Sequence, residues 1–349
     1  LLSIDARFRM RGPKAASNKI LVAAVDDSSI EALGRWPWPR DIHAELVRKL
    51  HEAGARMVAF DVFFSEPEVT GAFRILQKVH SSLPKLPSGS KTGRDEVEAF
   101  RRDLAGWTAD EDHDQILADT FRSVSREGMP VILPIVFGAS QNDPDIPGDS
   151  FLPEALPGGF PEDNFRPKTA ILSIPKISQA APAHGFIKPI YPDPDGTFRS
   201  MPLYVEYKDR LIPSMALQLA RLHLGLALDQ VRVVPGQSVD LGGRMIPVDT
   251  HGRATINYRG GTAAFGRPGP FPVVPIKDIL AGSADPELLR DALVLVGATS
   301  TGIYDIRPTP FDNVFPGVEI HANLLDNILT GDQITPVVEV FNLLLALGL

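Results

Sequence analysis

Four short, continuous apolar segments constrain the fold of this chain more than any other feature of its sequence. They lie at residues 20–25, 57–64, 131–137 and 292–296. Apolar runs of this length, without polar alternation, are typical of strands buried on both faces, as in a parallel sheet. Segments with apolar residues at helical spacing separate the first three runs, so the first half predicts a β-α-β-α-β unit with right-handed crossovers.

The second half predicts a different local structure. Residues 200–260 contain several short strand-like segments, with a hairpin turn at Gly242-Gly243 and a helix that begins after the N-cap Ser214. The apolar run at 292–296 and a helix that ends at Gly331 then return the chain to the parallel sheet. We therefore expect an α/β fold: a mostly parallel sheet flanked by helices, with an inserted antiparallel β region in the second half.

Composition and motifs exclude several classes of function. The chain has 35 basic and 43 acidic residues and a formal net charge of −8, which argues against nucleic acid as a partner. It has no cysteine, which removes thiol nucleophiles, disulfides and Cys-ligated zinc. It contains no Walker A loop, no G-x-G-x-x-G, no H-E-x-x-H and no G-x-S-x-G. We predict no cofactor and no catalytic residue.

Polar side chains follow three of the predicted strands. Ligands of open α/β sheets bind outside the carboxyl ends of the strands, and an anion is favoured at the start of the final helix. The candidate ligand-binding residues are Asp26, Asp27, Trp36, Trp38, Arg40, Asp61, Glu66, Thr299, Asp305, Glu319 and His321. The carboxylates and the imidazole have the chemistry to hold a divalent cation or to transfer protons, so a metal stays an open question.

These residues also have a structural interpretation. Asp26 and Asp61 can cap loops and pair with arginines, the candidates being Arg40, Arg199 and Arg307. Trp36 and Trp38 can stack on a ligand, but two tryptophans in a proline-rich turn also commonly close the end of a sheet. Both interpretations stay open at the level of the sequence.

An ordered series of motifs resembles one known family. The series is Val25-Asp26-Asp27-Ser28, Gly34 to Arg40 with His43, Gly54-Ala55, Phe60-Asp61, Phe63 to Pro67, His184-Gly185-Phe186, Asp193 to Gly196 with Arg199, Pro213 to Leu217, Ile256 to Gly260, Val294 to Thr299, Asp305, Thr309-Pro310 and Pro316 to Asn323. It is similar to the CHASE type-two domain, the second type of cyclases/histidine-kinases associated sensory extracellular domain. The resemblance covers nearly the whole chain.

The resemblance implies an extracytoplasmic sensor in the cell membrane of a bacterium, with residues 1–335 as the sensor domain. One transmembrane helix would precede it and about three would follow, and the domain would form a homodimer and bind a periplasmic or extracellular ligand. The region itself would not be an enzyme. The output would be a class III adenylate or guanylate cyclase outside this chain, or otherwise a histidine kinase or Ser/Thr kinase.

Three parts of the sensor have separate predictions. Residues 1–19 would be a membrane-proximal stem, and residues 68–109 a variable excursion with a short helix near 96–104. The apolar end at 336–349 would begin a transmembrane helix, although a terminal core helix also fits it.

Two other classes of function fit the residues. The first is a metal-dependent hydrolase that uses Asp26, Asp61, Glu66, Glu319 and His321. The second is a dimerisation module without a ligand. The hydrolase has no recognised nucleophile and no complete ligand spacing in the sequence.

Overall fold

The computed structural model describes residues 2–17, 19–82, 91–138, 154–159, 166–187, 192–303 and 306–335. Two predictions lie outside these residues, namely the transmembrane start at 336–349 and the position of Asp305. None of the helices in the described ranges combines the length and the apolar character needed to cross a membrane.

The first half of the chain contains the following elements: α1 Leu2–Arg11, β1 Ile20–Val25, α2 Asp27–Leu33, α3 Arg40–Glu52, β2 Met57–Phe60, α4 Gly71–Ser82, α5 Lys91–Asp110, α6 His113–Arg126 and β3 Val131–Gly138. The middle contains β4 Thr169–Ile171, α7 Pro175–Ser178, β5 Ala183–Phe186, β6 Ser200–Pro202, β7 Tyr204–Tyr207, β8 Arg210–Pro213 and α8 Met215–His223. The last part contains β9 Val231–Val234, β10 Ser238–Leu241, β11 Arg244–Pro247, β12 Arg253–Thr255, β13 Val273–Pro275, α9 Ile276–Leu280, α10 Pro286–Leu289, β14 Leu293–Ala298, β15 Ile306–Arg307, β16 Phe315–Pro316 and α11 Gly317–Thr330.

The central sheet confirms the predicted fold class. Strands β13, β1, β14, β2, β3 and β5 pair in that order, each parallel to its neighbour, and β4 joins β3 antiparallel. Strand β14 lies between β1 and β2, so the last apolar run enters the middle of the sheet and not its edge. Strand β2 ends at Phe60, earlier than predicted, because residues 61–64 leave the sheet.

Side chains of the parallel strands alternate between two buried layers. In β1, Leu21 and Ala23 face a layer formed by α3, α6 and α9, whereas Ile20 and Val22 face a layer that contains α8 and α11. A strand with apolar neighbours on both faces cannot show polar alternation, which explains the continuous apolar runs.

The antiparallel region packs on the same layer as α8 and α11. The hairpin β7–β8, the three-stranded sheet β9–β10–β11 and the pair β6–β12 are all antiparallel, as predicted for this part of the chain. The side chain of Ser214 caps α8 by accepting a hydrogen bond from the amide of Leu217, 3.2 Å away. Met201, Val205 and Val239 share one apolar core with Ile20 and Val22 of the sheet, so the inserted region belongs to the same folded unit.

The region 68–109 contains more helix than predicted. Helices α4 and α5 contact each other, and the short helix expected near residues 96–104 is part of the much longer α5. The polar composition of this segment predicted an excursion with one short helix. Both helices are amphipathic, however, and they pack mainly against each other and α6 at the periphery of the fold.

Candidate functional site: a cavity at the strand ends

A cavity of about 570 Å3 opens at the carboxyl ends of β14, β2 and β3. Its walls there are Ala298, Val136 and the segment from Asp61 to Phe64 that leaves β2. The position agrees with the rule for open α/β sheets, and the volume falls in the range of small-molecule sites. We call this space the strand-end cavity.

The start of α11 forms a second wall. Gly317, Ile320 and His321 line the cavity, and the Nε2 atom of His321 lies 2.7 Å from the carbonyl oxygen of Ile187. The helix can start this close to the sheet because residue 297 is glycine. A Cβ atom there would lie 2.7 Å from the Cβ of Val318. The positive end of the helix dipole therefore points to the strand ends.

The beginning of α3 and the turn before it form a third wall. Trp36 lines the cavity, whereas Trp38 is 1% exposed and donates a hydrogen bond from its indole nitrogen to the carbonyl oxygen of Gly34, at 2.9 Å. The two rings meet edge to face. The two tryptophans thus differ: Trp36 lines the cavity, whereas Trp38 is buried against it in the core.

Arg40 lines the cavity from the first turn of α3. Its guanidinium lies 4.9 Å from the ring centroid of Phe64 and donates a hydrogen bond to the carbonyl oxygen of Glu66, at 3.0 Å. Its Nε atom lies 3.6 Å from a carboxylate oxygen of Asp114. Glu66 itself is exposed and contributes its main chain to this contact.

The structure separates Asp26, Asp27 and Thr299 from the cavity lining. Asp26 caps α2 by accepting hydrogen bonds from the amide of Ser29 and the hydroxyl of Ser28, at 2.9 and 2.7 Å. Burial raises the pKa of Asp26, but these hydrogen bonds outweigh it, and the net shift is downward. Asp27 accepts a hydrogen bond from the hydroxyl of Ser300, and the amide of Thr299 donates to the carbonyl oxygen of Val25 in β1. Asp26 therefore has the structural role of a helix cap, one of the two interpretations that the sequence left open.

Glu319 also lies outside the cavity lining, although it is in the first turn of α11. Its carboxylate accepts hydrogen bonds from the hydroxyl of Thr262 and from the amide of Ala263. Burial raises the pKa of this carboxyl, and the hydrogen bonds oppose that shift. Glu319 thus holds the 262–263 segment against α11.

Sequence reasoning did not select two lining residues as site residues, His43 and Arg307. His43 lies three residues after Arg40 on α3, and its ring packs against those of Trp36, Phe60 and Phe64. Burial, with the charge of Arg40 as a second cause, lowers the pKa of His43 to about 3, so the imidazole is neutral at physiological pH. The sequence places His43 on the apolar face of α3, three residues after Arg40, but this position does not distinguish a core histidine from one that lines a cavity.

Arg307 reaches the cavity from β15. Its guanidinium lies 5.8 Å from the ring centroid of Phe198 and donates to the carbonyl oxygen of Ile306. Strand β15 pairs with β16 so that Arg307 is opposite Phe315, directly before α11 begins. This pairing brings Arg307 beside the start of α11, which sequence distance alone does not predict.

Of the predicted site residues, the structure thus brings Trp36, Arg40, Asp61 and His321 together. Within the described ranges, no group of three His, Asp or Glu side chains is arranged to hold a metal ion. Among the described lining residues, the basic side chains are Arg40 and Arg307 and the carboxylate is that of Asp61. This arrangement gives the metal-dependent hydrolase no support from the described residues.

The other end of α11 contacts the N-terminal segment. The buried guanidinium of Arg259 donates to the carboxylates of Asp326 and Asp332 and, at 3.0 Å, to the hydroxyl of Thr330. Lys14 donates to the same carboxylate of Asp332. The hydrogen bond from Lys14 and those from Arg259 lower the pKa of Asp332. We call the group of Lys14, Arg259, Asp326, Thr330 and Asp332 the terminal junction.

Main-chain contacts reinforce the terminal junction. The amide of Ser17 donates to Asp326 at 2.8 Å, and the amide of Lys14 donates to the carbonyl oxygen of Arg259 at 2.6 Å. Helix α1 is held on the domain by Asp5, which accepts hydrogen bonds from the buried Arg199, and by Arg11, which donates to Asn257 and to the carbonyl oxygen of Tyr258. The predicted stem therefore packs along the domain in residues 2–17.

An α/β sheet with a cavity outside its strand ends is typical of ligand-binding domains. The family model of the CHASE2 domain matches residues 1–349, and the chain belongs to this family. CHASE2 domains are sensory extracellular domains. No curated protein and no solved structure matches the chain.

Proposed function

We propose that this domain is the extracytoplasmic sensor of a bacterial transmembrane receptor, and that occupation of the strand-end cavity is the signal. A single observation supports this proposal: α11 has its first turn at the cavity and its last turn at the terminal junction. A helix of this length extends about 20 Å. Anything that moves its first turn acts on the place where residues 14–17 meet the end of α11.

The rigidity of α11 supports such a relay. Residues 318–328 are buried without interruption, so the helix is held by packing on all sides. The main chain at Gly297 is packed directly against Val318 in the first turn of α11. Because the helix is close-packed along its length, we expect a displacement of this turn to move the whole helix as a rigid body. If α11 has two positions and a ligand binds one of them more tightly, the ligand would shift the equilibrium toward that position.

The receptor output belongs to the same proposal. We expect a class III adenylate or guanylate cyclase that makes a cyclic nucleotide, with a histidine kinase or Ser/Thr kinase as the alternative. The domain would act as a homodimer, because a shift of both termini is then transmitted to a paired output. The membrane would be reached through helices that flank the domain.

A cavity-filling variant tests the relay without any ligand. Val136→Trp places a large ring in the strand-end cavity, and Val69→Trp is the control, because Val69 is 47% exposed and lies outside the lining. The chain has no cysteine, so Met10→Cys and Thr335→Cys can carry spin labels at two defined exposed positions. We expect the distance between the labels to change in Val136→Trp and not in Val69→Trp. The same distance between the two labels in the labelled parent, in Val136→Trp and in Val69→Trp would contradict the relay.

The same pair of variants tests the output. In the membrane protein that contains this domain, Val136→Trp should change the basal rate of cyclic-nucleotide formation and Val69→Trp should not. Phosphotransfer without cyclic-nucleotide formation would assign a kinase output. An output that ignores the cavity variant but changes on deletion of the domain would favour the dimerisation module.

A further inference from the structure

Helices α4 and α5 leave several large apolar side chains exposed. Of the eleven such side chains in the described ranges, four lie on these two helices, namely Ile75, Val79, Phe100 and Trp107. The two helices make up less than a tenth of the chain, and α4 has no buried residue at all. Single exposed apolar residues are normal, but a group of them on one peripheral element indicates an interaction surface. We call these four side chains the α4–α5 surface.

The four side chains form a face on each helix. Ile75 and Val79 are four residues apart and therefore share one side of α4. On α5, Phe100 and Trp107 flank the buried Leu104 in the sequence, and their ring centroids lie 6.2 Å apart. Because this side of α5 is buried at Leu104 and exposed before and after it, the packing within the chain covers the apolar face only in part.

Helix α4 surrounds its part of the surface with positive charge. Arg74 and Lys78 directly precede Ile75 and Val79, both are exposed, and α4 contains no Asp or Glu. Neither basic side chain forms an ion pair within the described residues, although α4 packs against α5. The positive charge of α4 is thus free to meet carboxylates outside the chain.

Helix α5 surrounds its part of the surface with negative charge. Glu96 and Asp103 lie four residues before Phe100 and Trp107, which is one helical turn on the same side of α5. Both carboxylates are exposed, and neither forms an ion pair in the part of the chain that the structure describes. The two faces of the α4–α5 surface therefore carry opposite charge.

A second copy of this chain fits both faces. In a two-fold symmetric pair each contact occurs twice, so the basic α4 of each copy can face the acidic part of α5 in the other. Charges of opposite sign around an apolar patch favour the encounter and fix its register. A lipid surface fits less well, because helices that lie on membranes are rich in Lys and Arg, whereas residues 95–110 contain five acidic residues and two arginines.

The base of the helix pair is fixed to the domain. The carboxylate of Glu68 accepts a hydrogen bond from the amide of Arg40 at 2.7 Å and lies 3.0 Å from Nδ1 of His113. The hydroxyl of Thr70 donates to the carboxylate of Glu111 at 3.1 Å. The residues before α4 and after α5 are therefore held at the starts of α3 and α6. A surface with a fixed orientation loses less entropy when it binds.

We propose that the α4–α5 surface is the interface through which two copies of this chain form a homodimer. The contact is two-fold symmetric, with α4 of one copy against α5 of the other, and it is apolar at its centre and ionic at its edge. This inference rests on the proposed function for the homodimer itself, and it adds which part of the domain pairs.

Charge reversal tests this pairing by sedimentation velocity of the 349-residue chain. Arg74→Glu with Lys78→Glu reverses the charge of α4, and Glu96→Lys with Asp103→Lys reverses that of α5. Each double variant brings like charges together at both contacts, so we expect its dimer dissociation constant to rise at least about tenfold. An equimolar mixture of the two double variants restores opposite charges at both contacts, as does a chain with all four substitutions. Both should recover the affinity of the parent.

Arg35→Glu with Arg126→Glu is the matched control. It changes the net charge as much as the reversal of α4 does, at two exposed arginines outside the helix pair. Its dissociation constant should stay within about threefold of the parent value. Equal weakening in the control would assign the effect to net charge, and dimers that ignore both reversals would place the interface elsewhere. Either result overturns the proposal, as does a parent chain that is monomeric at about 100 μM.

Vesicles of phosphatidylglycerol and phosphatidylethanolamine test the alternative occupant. A monomeric chain that co-sediments with these vesicles, and that no longer does so after Arg74→Glu with Lys78→Glu, would overturn the proposal in favour of a lipid surface. The relay is decided separately. The label distances in Val136→Trp are measured within one chain, so they do not depend on which surface pairs two copies.

Discussion

The two ends of α11 satisfy their charged groups in different ways. At the terminal junction, the guanidinium of Arg259 is 2% exposed and donates directly to the carboxylates of Asp326 and Asp332. At the strand-end cavity, Arg40 and Arg307 lie over aromatic rings and donate to main-chain oxygens. At the junction, one buried guanidinium thus donates to two carboxylates, whereas at the cavity end Arg40 has the Asp114 carboxylate at 3.6 Å and the lining is mostly apolar or aromatic.

This difference suggests a division of roles along one helix. An ionic cluster with fixed partners has one arrangement of low free energy, which suits a joint between residues 14–17 and the end of α11. A cavity with positive groups and apolar walls can gain new contacts when a ligand enters. Three predictions test this contrast, and they follow in order of decreasing effect.

The largest effect is expected from Arg259→Ala. This substitution leaves Asp326, which is fully buried, without its guanidinium partner. Breaking a buried ion pair from one side costs about 3–5 kcal/mol of the free energy of unfolding. Denaturant unfolding of the variant and the parent chain measures this loss.

Arg122→Ala is the control for Arg259→Ala. Arg122 pairs with Asp119 on the surface of α6, with side-chain exposures of 34% and 61%. The loss should be below about 1 kcal/mol, because solvent screens this pair. If Arg259→Ala lowers the free energy of unfolding no more than Arg122→Ala does, the terminal junction does not hold these segments together.

An intermediate effect is expected from the pH dependence at the cavity end. The pKa of His43 is about 3 in the folded chain and near 6.5 in the unfolded one, because burial and then Arg40 disfavour its charged form. Below pH 6.5 the unfolded chain therefore takes up a proton that the folded chain does not. The free energy of unfolding falls by about 1.4 kcal/mol per pH unit from this group, or about 3 kcal/mol at pH 4.5.

His43→Gln isolates this contribution. Burial also lowers the pKa of His184, to about 4, and that of His223, so the pH dependence of the parent contains contributions from these imidazoles as well as from His43. The variant should be less sensitive to acid than the parent by the amount assigned to His43. Phe60→Leu disturbs the same aromatic cluster without removing a titrating group and should keep the parent slope. Parallel pH profiles for His43→Gln and the parent would show that His43 takes up its proton in the folded state.

The smallest effect on the free energy of unfolding is expected at Asp26, which lies outside the cavity lining and caps α2. Asp26→Ala removes the cap of α2 and should cost about 1 kcal/mol of the free energy of unfolding. Asp26→Asn keeps a good capping side chain and should stay within a few tenths of the parent. If Asn costs as much as Ala, the charge of Asp26 has a role other than capping.

The sequence predicted much of the local structure. Continuous apolar runs indicated β1, β3 and β14, because a strand covered on both faces has no polar side to show. The Ser214 cap, the Gly242-Gly243 hairpin and the end of α11 at Gly331 also follow from single residues with strong local preferences. In the segment 68–109 the sequence predicted one short helix near residues 96–104, whereas the structure has α4 and a longer α5, because the polar composition of the segment hid their amphipathic character.

The candidate site was predictable only in part. The rule for strand ends selected Asp61, which lines the cavity, but it selected Asp26 equally, since both follow a buried strand. The difference arises from a neighbouring helix: Asp26 turns back to cap α2, and Asp61 continues into the cavity wall. His43 was missed because nothing in its local pattern distinguishes a core histidine from one beside a cavity.

What the sequence by itself determined is the type of each main element and the edge of the sheet at which polar groups collect. Both depend on neighbours a few residues apart. Only the tertiary structure decided that β14 enters between β1 and β2, that Arg307 meets the start of α11, and that Arg259 meets Asp326. These contacts join residues far apart in the chain, and they depend on how all the layers pack together, which no local pattern encodes.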